Sequence, residues 1–203
     1  RIHLPEILME KKKQVKRIFD AISPKYDLLN HLLSGGVDLY WRKKALKLTG
    51  VNRNTKLLDI ACGTGDFAIA ARKLGVDNIT GADLSLNMLR FFSEKSPWIK
   101  GRTLQAAAEQ LPFKENSFTN ITVAFGVRNF YDIPAAFELF RTILTDDGKV
   151  TILEFRLPKN LVMKKLYLFY FNNILPVIGK IISKLIFQIF IKIIYCFGFF
   201  FYF

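Results

Sequence analysis

An acid and two glycines follow the first strand-like segment at spacings that suit nucleoside binding. The apolar run 57–60 contains Asp59 and leads into Gly63 and Gly65, after which the pattern predicts a helix from Asp66. Glycine allows backbone angles that side chains forbid and lets a ligand approach the main chain. The first helical turn then offers unpaired N–H groups to an electron-rich ligand.

A second acid completes this pattern. The next predicted strand, 78–82, ends at Asp83. A carboxylate at the end of this second strand can accept both hydroxyl hydrogens of a ribose. The order strand, glycine turn, helix, strand and acid therefore predicts the first half of a nucleoside-cofactor site.

Two kinds of cofactor fit the glycine turn. The run from Gly63 to Ala68 matches G-x-G-x-x-G/A, which is compatible with a dinucleotide. Asp59 favours a cationic or amino-bearing ligand, because a carboxylate near the cleft repels a pyrophosphate. The run resembles motif I of class I S-adenosylmethionine (SAM) methyltransferases, whose sulfonium cofactor carries an amino group and no phosphate. A structural turn without a ligand is the third interpretation.

Two later strand ends are expected to point into the same cleft, because ligands of open α/β sheets bind outside the carboxyl ends of the strands. The segment 107–113 follows the third predicted strand and could contact an adenine edge through main-chain N–H groups. After the fourth strand, Gly126 leaves room, and Arg128 and Asn129 place polar groups at the reaction site. Alternatively, Arg128 caps a helix or pairs with a surface acid.

Hydrophobic periodicity gives the elements that position these residues. Strands and helices alternate after residue 55, which predicts an α/β fold with a doubly wound, mostly parallel sheet. Ser23, Ser85 and Asp132 are expected at helix starts. Leu48 is expected to face inward from its helix, and a turn is expected at 146–148 before the fifth strand. Helices are predicted over 5–20, 23–33, 38–48, 66–74, 85–95 and 132–144, and strands over 57–60, 78–82, 103–107, 120–125 and 149–155.

Five segments together resemble the ubiquinone/menaquinone biosynthesis C-methyltransferase family, a family of class I SAM-dependent enzymes with a Rossmann-like fold. The resemblance extends from about residue 14 to residue 184. Members methylate a ring carbon of a polyprenyl benzoquinol or of demethylmenaquinol. The matching segments are 26–34 with Trp41, 61–66, 108–113, 125–129 and 152–155.

The resemblance implies SAM as the cofactor and assigns its contacts. Thr64 matches a cofactor position in the turn, and Asp83 matches the ribose acceptor. Ala107 and Ala108 fall at the adenine edge, where the family usually has Asn or Asp at the first position. Ala124 occupies a position after the fourth strand that usually holds Ser or Ala. With Asp59, Gly63 and Gly65, these residues form the predicted cofactor site.

The implied reaction also requires groups that act on the substrate. A quinol ring carbon becomes nucleophilic when a ring hydroxyl loses its proton, so a general base is expected. The candidates are Asp27 in the N-terminal lid, or a water oriented by Arg128 and Asn129. Arg128 could also stabilise the phenolate. Tyr26 and Trp41 are either apolar walls for the ring or core residues.

Four regions follow from these assignments. Residues 1–50 are an N-terminal helical lid, 51–158 the SAM-binding core, 159–184 a substrate-side helix, and 185–203 an apolar tail. The tail departs from the family, and the last family strands are expected to be missing. Of its 19 residues 16 are apolar, which favours a frameshift or early stop, with a transmembrane helix as the alternative.

Charge and cysteine content narrow the partners. The net charge is +13, and residues 155–203 contain seven basic residues and no acid. A basic, apolar segment suits a membrane surface better than nucleic acid, although compositional drift is an alternative. The two cysteines form no metal-ligand spacing and indicate a reducing compartment. We therefore expect a cytoplasmic protein peripheral to the inner membrane. Its expected partners are a polyprenyl quinol and other quinone-biosynthesis enzymes, with no metal and no nucleic acid.

Three other functions remain as alternatives. An inactive, membrane-associated remnant of the family would explain the tail. A nucleic-acid methyltransferase would use the basic charge. However, amino-group base methylases carry Asn/Asp-Pro-Pro-aromatic after the fourth strand, where this chain has Ala124-Phe125-Gly126-Val127. An NAD-dependent dehydrogenase is disfavoured by Asp59 and by the later motifs.

Overall fold

The computed structural model describes residues 4–27, 31, 34, 36–154 and 160–174. These residues belong to two compact units, one ending at Leu153 and the other beginning at Glu154. The second unit contains helix α6 (Leu161–Phe169), followed by a π-helical turn, Tyr170–Ile174. The apolar tail lies outside the described residues, as do residue 159 and residues 175–184 of the predicted segment 159–184.

The first unit is a five-stranded parallel sheet with helices around it, which confirms the predicted fold class. Strand order is β3-β2-β1-β4-β5. The chain adds β2 and β3 on one side of β1 and then crosses to the other side, where it adds β4 and β5. The strands are β1 (Lys56–Ile60), β2 (Asn78–Asp83), β3 (Thr103–Gln105), β4 (Phe118–Ala124) and β5 (Leu144–Leu153).

Among the described helices, three lie in the connections between parallel strands, after β1, β2 and β4, and two precede the sheet. Helix α1 precedes the sheet and is followed by a 3₁₀ turn, Ser23–Lys25. Another 3₁₀ turn, Val127–Asn129, follows β4. The helices are α1 (Leu4–Ile22), α2 (Val37–Leu48), α3 (Asp66–Lys73), α4 (Leu86–Lys95) and α5 (Ile133–Ile143).

Side-chain alternation along β1 divides the core into two layers. Leu58 and Ile60 belong to a buried cluster with Ala136, Phe140 and Ile143 of α5. Residues between them in sequence point to the opposite face of the sheet. There, the buried carboxylate of Asp59 accepts a hydrogen bond from the Ala68 N–H at the start of α3.

Two predicted helix caps are confirmed and one is wrong. Ser85 accepts the Met88 N–H, and Asp132 accepts the Ala135 N–H. Ser23 does not cap a helix, because its hydroxyl donates to the Asp20 carbonyl oxygen at the end of α1. The chain therefore continues from α1 through Ser23 without the break that the sequence predicted.

Three further predictions need correction. Leu48 was expected to face inward, but it is 56% exposed at the end of α2. The third strand is shorter than predicted and ends at Gln105. The fifth strand begins at Leu144, ahead of the predicted turn at 146–148, because a register shift in its pairing with β4 absorbs the extra residues.

Candidate active site

The turn after β1 has a backbone that its glycines make possible. Gly63 and Gly65 have φ angles of +55° and +87°, in the left-handed region. A Cβ atom on Gly65 would lie 2.1 Å from the Phe92 ring of α4. Ala61 also has a positive φ, +51°, which is unusual for a residue with a side chain. The turn thus brings the backbone close to α4 before α3 begins.

Asp83 lies at the end of β2 and connects this turn to the start of α4. One carboxylate oxygen accepts the Gly63 N–H at 2.8 Å, and the other accepts the Ser85 N–H at 2.8 Å. Burial raises the pKa of Asp83 to about 6, while the two N–H donors favour the charged form. Each oxygen retains a further lone pair, so the carboxylate can still accept ligand hydroxyls.

Asp59 is buried beneath the same turn and faces the neighbouring strand and α3. It accepts the Thr122 hydroxyl at 2.7 Å and the Ala68 N–H at 3.2 Å. Burial raises its pKa to about 7, opposed by these donors and by the charge of Arg42. A recess of about 260 Å³, part of which is open to solvent, is lined by Asp59 together with Thr64 and Ala124. The contacts of Asp59 with Thr122 and Ala68 show that its carboxylate supports the turn.

A larger cleft opens at the carboxyl ends of β1, β2 and β4. It encloses about 680 Å³, part of which is open to solvent. The predicted site residues that line it are Gly63, Asp83, Ala107, Ala108, Ala124 and Asn129. Aromatic side chains contribute a large part of the remaining wall, namely Phe19, Tyr26, Phe125, Phe130 and Tyr131.

Asp27 makes two polar contacts outside this cleft. The Thr64 hydroxyl donates to one of its oxygens, and the Lys95 ammonium lies 2.7 Å from the other. Lys95 also contacts Asp66 at 2.8 Å. These contacts attach the segment after α1 to the glycine turn.

Asn129 and Arg128 share the 3₁₀ turn that follows β4. The Asn129 N–H donates to the Gly126 carbonyl oxygen at 2.9 Å, and Asn129 lines the cleft. A Cβ atom on Gly126 would lie 2.7 Å from Cβ of Ala61, so glycine lets the turns after β1 and β4 meet. Arg128 is half-buried in the same turn.

Helix α1 supplies site residues that the sequence analysis did not assign. Lys12, Val15, Lys16 and Phe19 line the cleft. The apolar members belong to the helical pattern that predicted α1, and their spacing was the available signal. The sequence could not show which part of the fold α1 packs against, because helical periodicity identifies an apolar face and not the elements that cover it.

Three potential metal ligands lie together near the turn, namely His31, Asp38 and Asp66. Their carboxylates already contact cations, since Arg42 Nε is 3.5 Å from Asp38 and Lys95 Nζ is 2.8 Å from Asp66. These contacts form an ion-pair network, and we assign no metal to it.

The parallel sheet, the glycine turn and the acid after β2 define a class I SAM-dependent methyltransferase. A family model described as the ubiE/COQ5 methyltransferase family matches residues 7–190. The chain belongs to this family. The match confirms the resemblance predicted from the five sequence segments, and with it the predicted class of enzyme.

Curated relatives support the assignment over most of the chain. A demethylmenaquinone methyltransferase of Chlorobaculum tepidum is 43% identical over 182 residues, covering 88% of this chain and 74% of the relative. A ubiquinone/menaquinone biosynthesis C-methyltransferase of Geotalea uraniireducens is 41% identical, covering 87% and 78%. A demethylmenaquinone methyltransferase of Staphylococcus aureus is 39% identical, covering 85% and 73%.

Solved structures support the fold. A SAM-dependent methyltransferase from Aquifex aeolicus has a TM-score of 0.54 and 15% identity, covering 74% of this chain and 76% of its own. A SAM-dependent methyltransferase from Thermotoga maritima, described as a possible histamine N-methyltransferase, has a TM-score of 0.58 and 20% identity, covering 77% and 67%. At these identities the likeness concerns the fold alone.

Proposed function

We propose that this protein transfers the methyl group of SAM to a ring carbon of a polyprenyl quinol, either a benzoquinol or demethylmenaquinol. The observation that carries the proposal is one cleft that is lined by Asp83, Gly63 and Asn129 together with aromatic side chains. The first pair suits a nucleoside, and the aromatic residues suit a flat, apolar ring. The names of the relatives supply the quinol as the substrate class.

The residues present fit SAM. Asp83 offers a carboxylate to the ribose, and the small side chains of Ala107 and Ala108 leave space beside the adenine position. Asp83 and the nearby Asp59 also make the region unfavourable for a pyrophosphate.

When bound, SAM supplies an electrophilic methyl group on its sulfonium. The task of the protein is therefore to orient the quinol ring and to favour transfer of a ring hydroxyl proton to a water, which Arg128 and Asn129 would orient. Asn129 lines the cleft and can hold the ring hydroxyl through its amide. The positive charge of Arg128, in the same turn, favours the phenolate that deprotonation produces.

We propose that Asp27 anchors the lid and is not the general base. Its two carboxylate oxygens contact Thr64 and Lys95, which belong to the glycine turn and the end of α4. The anchor would hold Tyr26, which lines the cleft, beside Gly63. A Cβ atom on Gly63 would lie 3.5 Å from the Tyr26 ring.

The activity test uses the full chain with SAM and two reduced substrates, a short-prenyl demethylmenaquinol and a short-prenyl benzoquinol. We expect mass spectrometry to show a single added methyl group on the ring of at least one of them. SAM binding measured by calorimetry serves as the control. If SAM binds and neither quinol is methylated, the proposed substrate class is wrong. If SAM does not bind to folded protein, the inactive-remnant alternative is favoured.

We also propose that the protein meets its polyprenyl substrate at an anionic membrane surface through the outer face of α2. Three exposed lysines, Lys43, Lys44 and Lys47, lie on this helix. Tyr40 is 61% exposed and Leu48 is 56% exposed on the same element. Lysines beside exposed apolar side chains are complementary to the interface of an anionic bilayer. Among the described residues, no helix is both long and apolar enough to cross a membrane.

A further inference from the structure

Three consecutive residues that follow Asn129 are held by side chains from two different parts of the fold. The Lys11 ammonium, on α1, donates to the carbonyl oxygen of Phe130. One Glu109 oxygen accepts the N–H groups of Tyr131, at 2.8 Å, and Asp132, at 3.1 Å. Lys11 and Glu109 thus satisfy backbone groups between the 3₁₀ turn and α5.

Apolar packing fixes the same segment from the inside. Phe130 is 6% exposed, and its ring packs edge-to-face on the ring of Phe140 in α5, with 6.1 Å between the ring centroids. Packing holds the ring inward, and the contacts of Lys11 and Glu109 set the direction of the backbone. Tyr131 and Asn129, on either side of Phe130, both line the cleft.

Glu109 also belongs to another wall of the cleft, and Lys11 is next in sequence to a residue that lines it. Glu109 lines the cleft directly after Ala107 and Ala108, the segment expected at the adenine edge. Lys11 precedes Lys12, which lines the cleft and donates to Gln110 at 2.9 Å. The segment 130–132 therefore touches α1 on one side and the cofactor-facing segment on the other.

We propose that Lys11 and Glu109 are positioning residues for methyl transfer. They hold the segment 130–132 so that Asn129 and Tyr131 face the quinol ring, and Lys11 makes this arrangement depend on α1 lying over the cleft. The inference rests on the proposed function, because it assigns these residues to the substrate part of that site.

The first test replaces Lys11 in the full chain and measures quinol methylation and SAM binding. We expect Lys11→Met to lower kcat about tenfold, because small displacements of reacting groups are costly. The dissociation constant of SAM should stay within about twofold of wild type, and Lys11→Arg should recover most of kcat, since it keeps a charged donor. Lys13→Met is the matched control, because Lys13 is exposed on the same helix and pairs with Glu10.

The second test does not rely on activity. It measures the clamp, by which we mean the hydrogen bonds of Lys11 and Glu109 with the segment 130–132. We expect Glu109→Ala to speed amide hydrogen exchange at Tyr131 and Asp132, and Glu109→Gln to preserve most of the protection through its remaining carbonyl oxygen. Unchanged exchange in Glu109→Ala, or full kcat in Lys11→Met, would overturn the inference. A wild-type chain that methylates no quinol contradicts the proposed function instead, and the exchange measurement still tests the clamp.

Discussion

At the scale of single residues, two aspartates at the ends of neighbouring strands have different tasks. Asp83 lines the cleft and keeps lone pairs for a ligand, whereas Asp59 supports the glycine turn from beneath. Burial raises the pKa of both carboxyl groups, to about 6 and about 7. The difference lies in position along the strands and not in the face, because Asp59 pairs with Gly81, which lies two residues before Asp83 on the same face of the sheet. Asp83 is the last residue of β2 and reaches the cleft, whereas Asp59 lies before the end of β1 and contacts the start of α3.

Replacing Asp83 tests the ribose contact. We expect Asp83→Asn to weaken SAM binding about tenfold to hundredfold, because hydrogen bonds to a charged acceptor are worth about 1.5–3 kcal/mol each. Calorimetric titration measures the effect. Asp77→Asn is the control, since Asp77 is 67% exposed and pairs with Arg72 at the surface. Equal affinities in the two variants would contradict the assignment.

Asp59 should make stability depend on pH. Its pKa is raised from 3.8 in the unfolded chain to about 7, so the folded state holds the proton more tightly. Its contribution is therefore fully present below about pH 4 and is lost as pH rises through about 7. We expect wild type to lose up to about 4 kcal/mol relative to Asp59→Asn across this range. Urea unfolding at several pH values measures it, and a constant difference would contradict the role.

Kinetics can decide whether Asp27 anchors the lid or acts as the general base. If it anchors the lid, Asp27→Asn should weaken SAM binding several-fold and leave the pH dependence of kcat unchanged. Loss of a general base would instead lower kcat by about 10² or more and change the shape of the pH–rate profile. Rate profiles of wild type and variant over a range of pH decide between these outcomes.

At the scale of elements, Gly65 restricts the turn between β1 and α3, and Gly101, in the loop before β3, serves as a comparison. Gly65 combines a positive φ with contact against the Phe92 ring, whereas Gly101 has a positive φ and no atom within 4 Å of the point where a Cβ would lie. The first position is restricted by both backbone and packing, and the second by backbone alone. The pair therefore separates the two effects.

We expect Gly65→Ala to destabilise the fold by about 2–5 kcal/mol, from left-handed strain and overpacking together. Gly101→Ala should cost about 1–2 kcal/mol, from strain alone. Chemical denaturation measures both values, and SAM titration should show weaker binding only for the first variant. Equal losses of stability would show that Phe92 moves away easily.

At the scale of the whole molecule, the proposed membrane face can be tested by vesicle sedimentation. We expect Lys43→Glu, Lys44→Glu and Lys47→Glu combined to weaken binding to phosphatidylglycerol-containing vesicles at least a hundredfold, since each surface lysine is worth about 1 kcal/mol. Phosphatidylcholine vesicles should show little difference. The control carries the same charge change at the exposed residues Lys73, Lys100 and Lys114. Equal loss in both triple variants would point to net charge and not to α2.

Much of the fold could be predicted because local patterns decide it. Alternation of strands and helices after residue 55 predicted the parallel sheet, and the caps at Ser85 and Asp132 were predicted correctly because each side chain accepts a nearby N–H. Ser23 was predicted incorrectly, because its hydroxyl finds the Asp20 carbonyl oxygen instead. The exposure of Leu48 depends on which elements cover α2, and this is a tertiary property.

The sequence by itself determined the family, the order of elements and the placement of Gly63, Asp83 and Asn129 at strand ends, because strand ends in a parallel sheet meet at one edge. Only the tertiary structure decided how α1 lies on that edge. It showed that Lys11 reaches a backbone oxygen 119 residues away and that Glu109 receives two N–H groups from the next loop. Contacts between distant segments follow from packing, and no local spacing in the chain encodes them.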